Sequence, residues 1–187
     1  MTTLPQAIRG EDVKKYAPLA LYIGTILAAN WAITEFGMVQ VGFSLIAPAG
    51  VFFAGLAFTF RDLTHETLGR WWVLSAILVG AMLSWWLSNP ALAFASGVAF
   101  LCSETADLLV YEPIRKKHWL TAVALSNTVG LAVDSTLFLW LAFGSLEFIQ
   151  GQLLGKFYMT MLAVLVLWMG RKVYREVLPR NTPTALA

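Results

Sequence analysis

Glu104, Asp107, Asp134 and Lys156 stand in stretches otherwise made of Ala, Val, Leu, Phe and Trp. An ionisable group at the centre of an apolar span costs roughly 2.5–3.5 kcal/mol, so such groups face a cavity or a partner. Glu104 and Asp107 are three residues apart, on one helical face that Phe100 and Tyr111 extend. Asn127, Asp134 and Phe138 recur at helical spacing in the next apolar segment, and Gln152, Lys156 and Thr160 share a stripe in the one after. Three polar stripes on consecutive helices can all point into one bundle interior. Carboxylates there accept N–H donors, amides donate and accept, and Lys156 donates. Asn30, Trp31, Phe100 and Phe138 add an amide and stacking surfaces to such a cavity.

The elements that must hold these residues are legible from composition. Of 187 residues, 58% are hydrophobic and 13% charged, with eight Trp and twelve Phe. The mean hydropathy is +0.69. A water-soluble domain is nearer a quarter charged, so the composition points to a membrane protein. The reading is an all-α integral membrane protein, one transmembrane domain over residues 1–187 with six helices in one bundle. The spans fall near 18–34, 47–60, 71–87, 91–111, 119–143 and 153–169, between polar tails at 1–16 and 179–187. Residues 35–46 read as a loop, and Asn89-Pro90 as a tight turn. Trp71, Trp72, Trp85 and Trp86 mark both ends of the third span, as interfacial aromatics do. The run Arg61-Asp62-Leu63-Thr64-His65-Glu66-Thr67-Leu68-Gly69-Arg70 reads as a solvated continuation of the second helix. No cleaved leader is expected, because Glu11 and Asp12 spoil the basic region before the first apolar run.

Lys and Arg set the orientation. They occur before span one, between spans two and three, between four and five, and after six, while the other loops hold none. Both termini are therefore expected on the cytoplasmic side of the cell membrane, with Lys156 the one exception near the outer end of span six. At 1.5 Å rise per residue, Glu104 and Asn127 come out at similar depth, Asp107 a turn deeper, and Asp134 as the acid most able to reach Lys156. Three acids face one base in this interior. Asp134, Asn127 and Lys156 are the candidates for an outward-facing pocket with Glu104 as floor, while Asp107 organises an inner gate or the packing. The bland alternative is that these groups are glue between helices. An intramembrane protease dyad of Asp107 and Asp134 is disfavoured, because the two differ in depth and lack a Gly-rich context. No enzyme activity, cofactor, metal site or nucleic-acid partner is expected, and the lone Cys102 forms no intrachain disulfide.

The blocks Ala95-Ser96-x-x-Ala99-Phe100-Leu101-x-Ser103-Glu104-x-x-Asp107, Ser126-Asn127-Thr128-Val129-Gly130 with Asp134-Ser135-x-x-Phe138, and Gly151-Gln152-x-x-Gly155-Lys156 resemble the vitamin uptake transporter family, also called queuosine precursor transporters. Pro48-Ala49-Gly50 and Asp62-x-x-x-Glu66-x-x-Gly69-Arg70 match its second-span region. The chain departs from the family at Arg61, where many members have Thr, and at His65, where Asn is common. The resemblance implies a fold like the substrate-binding components of energy-coupling-factor transporters, and uptake of 7-deazaguanines such as 7-cyano-7-deazaguanine. On that reading Asn30, Trp31, Phe100, Glu104, Asp107, Asn127, Asp134, Gln152 and Lys156 bind the nucleobase-like substrate. It also implies an alternative, a substrate-capture subunit that docks a coupling protein through Ala28 and Ala32 and needs separate ATPase partners.

Overall fold

The computed structural model describes residues 10–177. The tail expected at 179–187 lies outside the described residues, as do residues 1–9. Six helices follow one another: α1 (Gly10–Phe36), α2 (Val51–Leu68), α3 (Arg70–Leu87), α4 (Pro90–Arg115), α5 (Trp119–Phe143) and α6 (Ile149–Val177). Helix α1 thus absorbs residues 10–16, expected in the polar tail. Asn89 caps α4, its side-chain oxygen accepting from the amides of Ala91 and Leu92 at 2.9 and 3.4 Å, and Pro90 occupies the first turn, where its missing N–H costs nothing.

Residues 35–46 are not simply a loop. β1 (Met38–Gly42) and β2 (Leu45–Pro48) pair antiparallel, a short hairpin added to what is otherwise the expected all-α membrane protein. Phe43 and Ser44 turn the hairpin with φ of 50° and 60°, the positive values that a two-residue hairpin turn requires. Val41 and Ala47 of the hairpin bury against Val51, with Leu154 of α6 packed on the same cluster. The alternation was masked in the sequence by the short run and by the absence of Asn-Gly at its turn.

Around the bundle each helix packs on its neighbours in the order α1, α2, α6, α5, α4, α3 and back to α1. Among these neighbouring pairs the α4–α5 interface is the most extensive and the α5–α6 seam the slightest. Tyr22, Ile26, Ala57, Val73, Ala76, Ile77 and Phe100 form one buried cluster, and Ile33, Ala95, Ala99, Phe138 and Leu139 belong to another. The outside is apolar: Leu78, Met82, Leu109, Leu141, Leu162 and Val166 are exposed, as are the Trp residues at both ends of α3. A surface of this kind suits lipid, with the ionisable groups turned inward.

Among the described residues, four segments are long and apolar enough to cross a membrane: Lys15–Phe36, Arg70–Leu87, Pro90–Ile114 and Leu125–Phe143. Spans expected on α2 and α6 are not among them. In α2 the apolar part ends at Phe60, after which Arg61, Asp62 and Glu66 follow. Ten helical residues cover only ~15 Å, half of a bilayer's hydrocarbon core.

Two glycines set α6 in place. A Cβ on Gly151 would lie 2.1 Å from the carbonyl oxygen of Ile46, and one on Gly155 2.8 Å from a Val51 methyl. Their absence of side chains lets α6 approach the hairpin and α2, which carries Gln152 and Lys156 into the interior. Gly151→Ala is accordingly expected to lower the melting temperature of the purified protein by several degrees, whereas Gly24→Ala, with nothing within 4 Å, leaves it unchanged. Equal melting of the two variants would contradict this account of α6 docking.

Candidate functional site

Two ion clusters occupy the interior, one above the other. Nearer the hairpin, Lys156 of α6 is fully buried and its Nζ donates to Asp134 Oδ2 and, at 2.9 Å, to Ser135 Oγ. The pair expected between Asp134 and Lys156 is therefore formed. Toward the other end, Arg61 of α2 is 5% exposed and its Nη1 lies 3.1 Å from Glu104 Oε2 and 3.6 Å from Asp107 Oδ2. Its Nε reaches the half-exposed Asp62 at 3.2 Å. Phe58, one turn before Arg61, stands between the clusters: its ring centre is 5.7 Å from the Arg61 guanidinium and 5.8 Å from Lys156 Nζ. Cations over a ring face gain about 0.5–2 kcal/mol each.

Arg61 is the residue that sequence reasoning misplaced. It falls in a charged run after the last apolar residue of α2, which reads as a solvated helix end. The structure instead turns it inward, because Glu104 and Asp107 on α4 require a cation. The available signal was the charge count: three intramembrane acids against Lys156 alone. Phe58, Ser96 and Ser135 were also missed, since a single aromatic or hydroxyl in an apolar helix carries no signal of its own.

The predicted residues divide by location. Asn30 is fully buried and ties three helices together: its Nδ2 donates to Ser84 Oγ at 3.1 Å and to the Ile26 carbonyl, and its Oδ1 accepts from Ser96 Oγ at 3.0 Å. Trp31, expected on the cavity wall, is half exposed and meets Phe36 edge to face at 5.5 Å. One helical residue is a rotation of about 100°, so an inward Asn30 turns Trp31 outward. Asn127 is exposed at the end away from the hairpin, not level with Glu104. Gly130 of α5 packs on Asp107, the Cβ positions within 3.6 Å, and the antiparallel run puts Asn127 about a turn further along. Ala32 is buried within the chain, while Ala28 is half-buried.

Among the described residues, three of the cavities follow one another through the interior from the hairpin end. A closed one of about 20 Å³ nearest the hairpin is walled by Ser96, Phe100, Asp134, Phe138 and Gln152. A second, of about 10 Å³, touches Tyr22, Phe58, Phe100 and Glu104. A third, open and of about 460 Å³, lies at the other end against Arg61, Asp107, Tyr111 and Asn127. Phe100 borders the first two and Arg61 the last two. Each cavity is bordered by one residue with a buried oxygen that has no hydrogen-bond partner: Gln152 (Oε1), Glu104 (Oε1) and Asp107 (Oδ1) in turn. A buried unpaired acceptor costs about 1–3 kcal/mol. All three are acceptors, so what satisfies them is a donor. Among the described residues no group of His, Cys, Asp and Glu is arranged to hold a metal ion.

An apolar exterior, several helices long and apolar enough to cross a membrane and an interior lined with paired charges define a multi-pass membrane protein. Residues 80–170 match the model of the family described as "putative vitamin uptake transporter", which bears out the resemblance drawn from the sequence over that segment. It runs from the second half of α3 into α6 and contains Glu104, Asp107, Asn127, Asp134, Gln152 and Lys156. Arg61, Asn30 and the hairpin lie before it. Neither the curated proteins nor the solved structures gave a match.

Proposed function

We propose that the chain takes up a 7-deazaguanine precursor of queuosine, such as 7-cyano-7-deazaguanine, across the cytoplasmic membrane. Uptake of vitamin-like solutes is what the family description carries; the narrower substrate is what the sequence resemblance implies, and the chemistry at the cavity beside Gln152 is compatible with it. The observation that carries it is the convergence there of a carboxylate, an ammonium, an unpaired amide oxygen and two aromatic rings. A 7-deazaguanine presents N1–H and an exocyclic amine on one edge, which the Asp134 carboxylate accepts as a pair. Its O6 takes a proton donor, the role of Lys156 Nζ. Gln152 Oε1 accepts a further N–H, and Phe100 and Phe138 cover the ring faces. Each well-made hydrogen bond to a charged partner contributes about 1.5–3 kcal/mol.

A cavity of about 20 Å³ has room for one water and none for a bicyclic ring. Loading therefore requires the wall to part, and at the α5–α6 seam this means separating Lys156 from Asp134 and Ser135, whose groups the substrate then partners. On this reading all six helices traverse the bundle in alternate directions, and Lys and Arg in alternate loops support cytoplasmic termini.

The test is uptake of labelled 7-cyano-7-deazaguanine by proteoliposomes holding the purified chain, with equilibrium binding beside it. Saturable uptake is expected, with binding at least tenfold weaker in Gln152→Ala. Absence of saturable binding would sink the substrate assignment. Binding without uptake until ATPase partners are added would replace the solitary transporter with a capture subunit.

A further inference from the structure

The open cavity between α2, α4 and α5 has chemistry that the first site leaves unused. At about 460 Å³ it falls within the size range of small-molecule sites, about 300–1,000 Å³. Asp107 forms part of its wall and is 7% exposed, and its Oδ1 has no partner. The other carboxylate oxygen faces Arg61, which Glu104 shares. One guanidinium thus serves two buried carboxylates and leaves an acceptor on each unmet. Around the cavity Asp62, Glu66, Asp107 and Glu112 outnumber Arg61 and Arg70, with His65 as a further base. That balance disfavours a phosphorylated or otherwise anionic ligand and favours one offering N–H donors. Asn127, exposed on the opposite wall, adds an amide.

We propose that this cavity is a second ligand site, for a small neutral heterocycle whose N–H edge meets Asp107 Oδ1. Granted the substrate reading above, it receives the same cargo once it has passed Phe100 and Arg61, and holds it before release at the end away from the hairpin. Arg61 is then the barrier between the sites, since it borders both the Glu104 cavity and the open one.

Stoichiometry decides this. Purified full-length chain is titrated with labelled 7-cyano-7-deazaguanine, and the expected result is two ligands bound per chain. Asp107→Asn, which turns part of the acceptor into a donor, is expected to weaken one of them at least tenfold. Because Asp107 is also tied to Arg61, Asn127→Trp serves as the second variant: it fills the cavity from an exposed position outside the ion cluster. It should leave melting unchanged and one ligand bound, the one lost in Gln152→Ala. A single ligand in the wild type that is lost in Gln152→Ala and unaffected by Asn127→Trp overturns the second site while leaving the first intact. Two ligands retained in Asn127→Trp also overturn it, and no binding at all overturns both readings.

Discussion

Replacing Lys156 with Met should destabilise the protein by about 3–5 kcal/mol, because it leaves Asp134 buried beside Ser135 without its cation. Burial of the site is what makes the effect large: Lys156 has no exposed surface and Asp134 is 3% exposed, so water cannot replace the lost partner. Unfolding in mixed micelles measures it. The double variant Lys156→Met with Asp134→Leu should regain most of the stability, since apolar residues of similar volume substitute for a buried pair at little net cost. It should not regain ligand binding, because the donor to O6 and the acceptor for the N–H edge are both gone. A double variant that binds as wild type would reduce the pair to packing.

Arg61→Leu should cost as much again, by the same logic applied to two carboxylates. Glu104 and Asp107 lie on one face of α4 and both lean on Nη1, so removing the guanidinium strands two buried charges at once. About 3–5 kcal/mol is expected, with uptake abolished. Arg61→Lys should fall between, because a single ammonium cannot span Glu104, Asp107 and Asp62 as the guanidinium fork does. Adding Glu104→Gln and Asp107→Asn to Arg61→Leu should restore stability without restoring uptake. If Arg61→Leu alone unfolds at the wild-type point, Arg61 is solvated, as a helix-end reading of its sequence would have it.

The family match begins at residue 80, yet the cation for its Ser-Glu-x-x-Asp block comes from α2, upstream of the match. The Arg61 cluster is therefore assembled from both halves of the chain, whereas Lys156, Asp134 and Ser135 all come from the matched segment. α2 and the hairpin brace α6 through Gly151 and Gly155, and α2 supplies Arg61 and Phe58 to the interior.

What the sequence determined by itself was everything governed by local period and composition. Apolar runs marked the helices, three-to-four-residue spacing put Glu104 beside Asp107 and Asp134 in line with Phe138, and rise per residue brought Asp134 to Lys156. Tertiary structure decided which polar residues share a cavity. Trp31 and Asn30 are chain neighbours, yet only Asn30 enters the interior. Arg61 lies in a run that looks solvated, yet it is held inside by two acids more than forty residues away in the chain. Helical periodicity relates residues within one element, whereas ion pairing across helices depends on how neighbouring helices are rotated and at what depth they cross. The close approach of α6 at Gly151 and Gly155 supplies that information here. Local spacing specified the carboxylates on α4; the packing of α2 against the bundle supplied their cation.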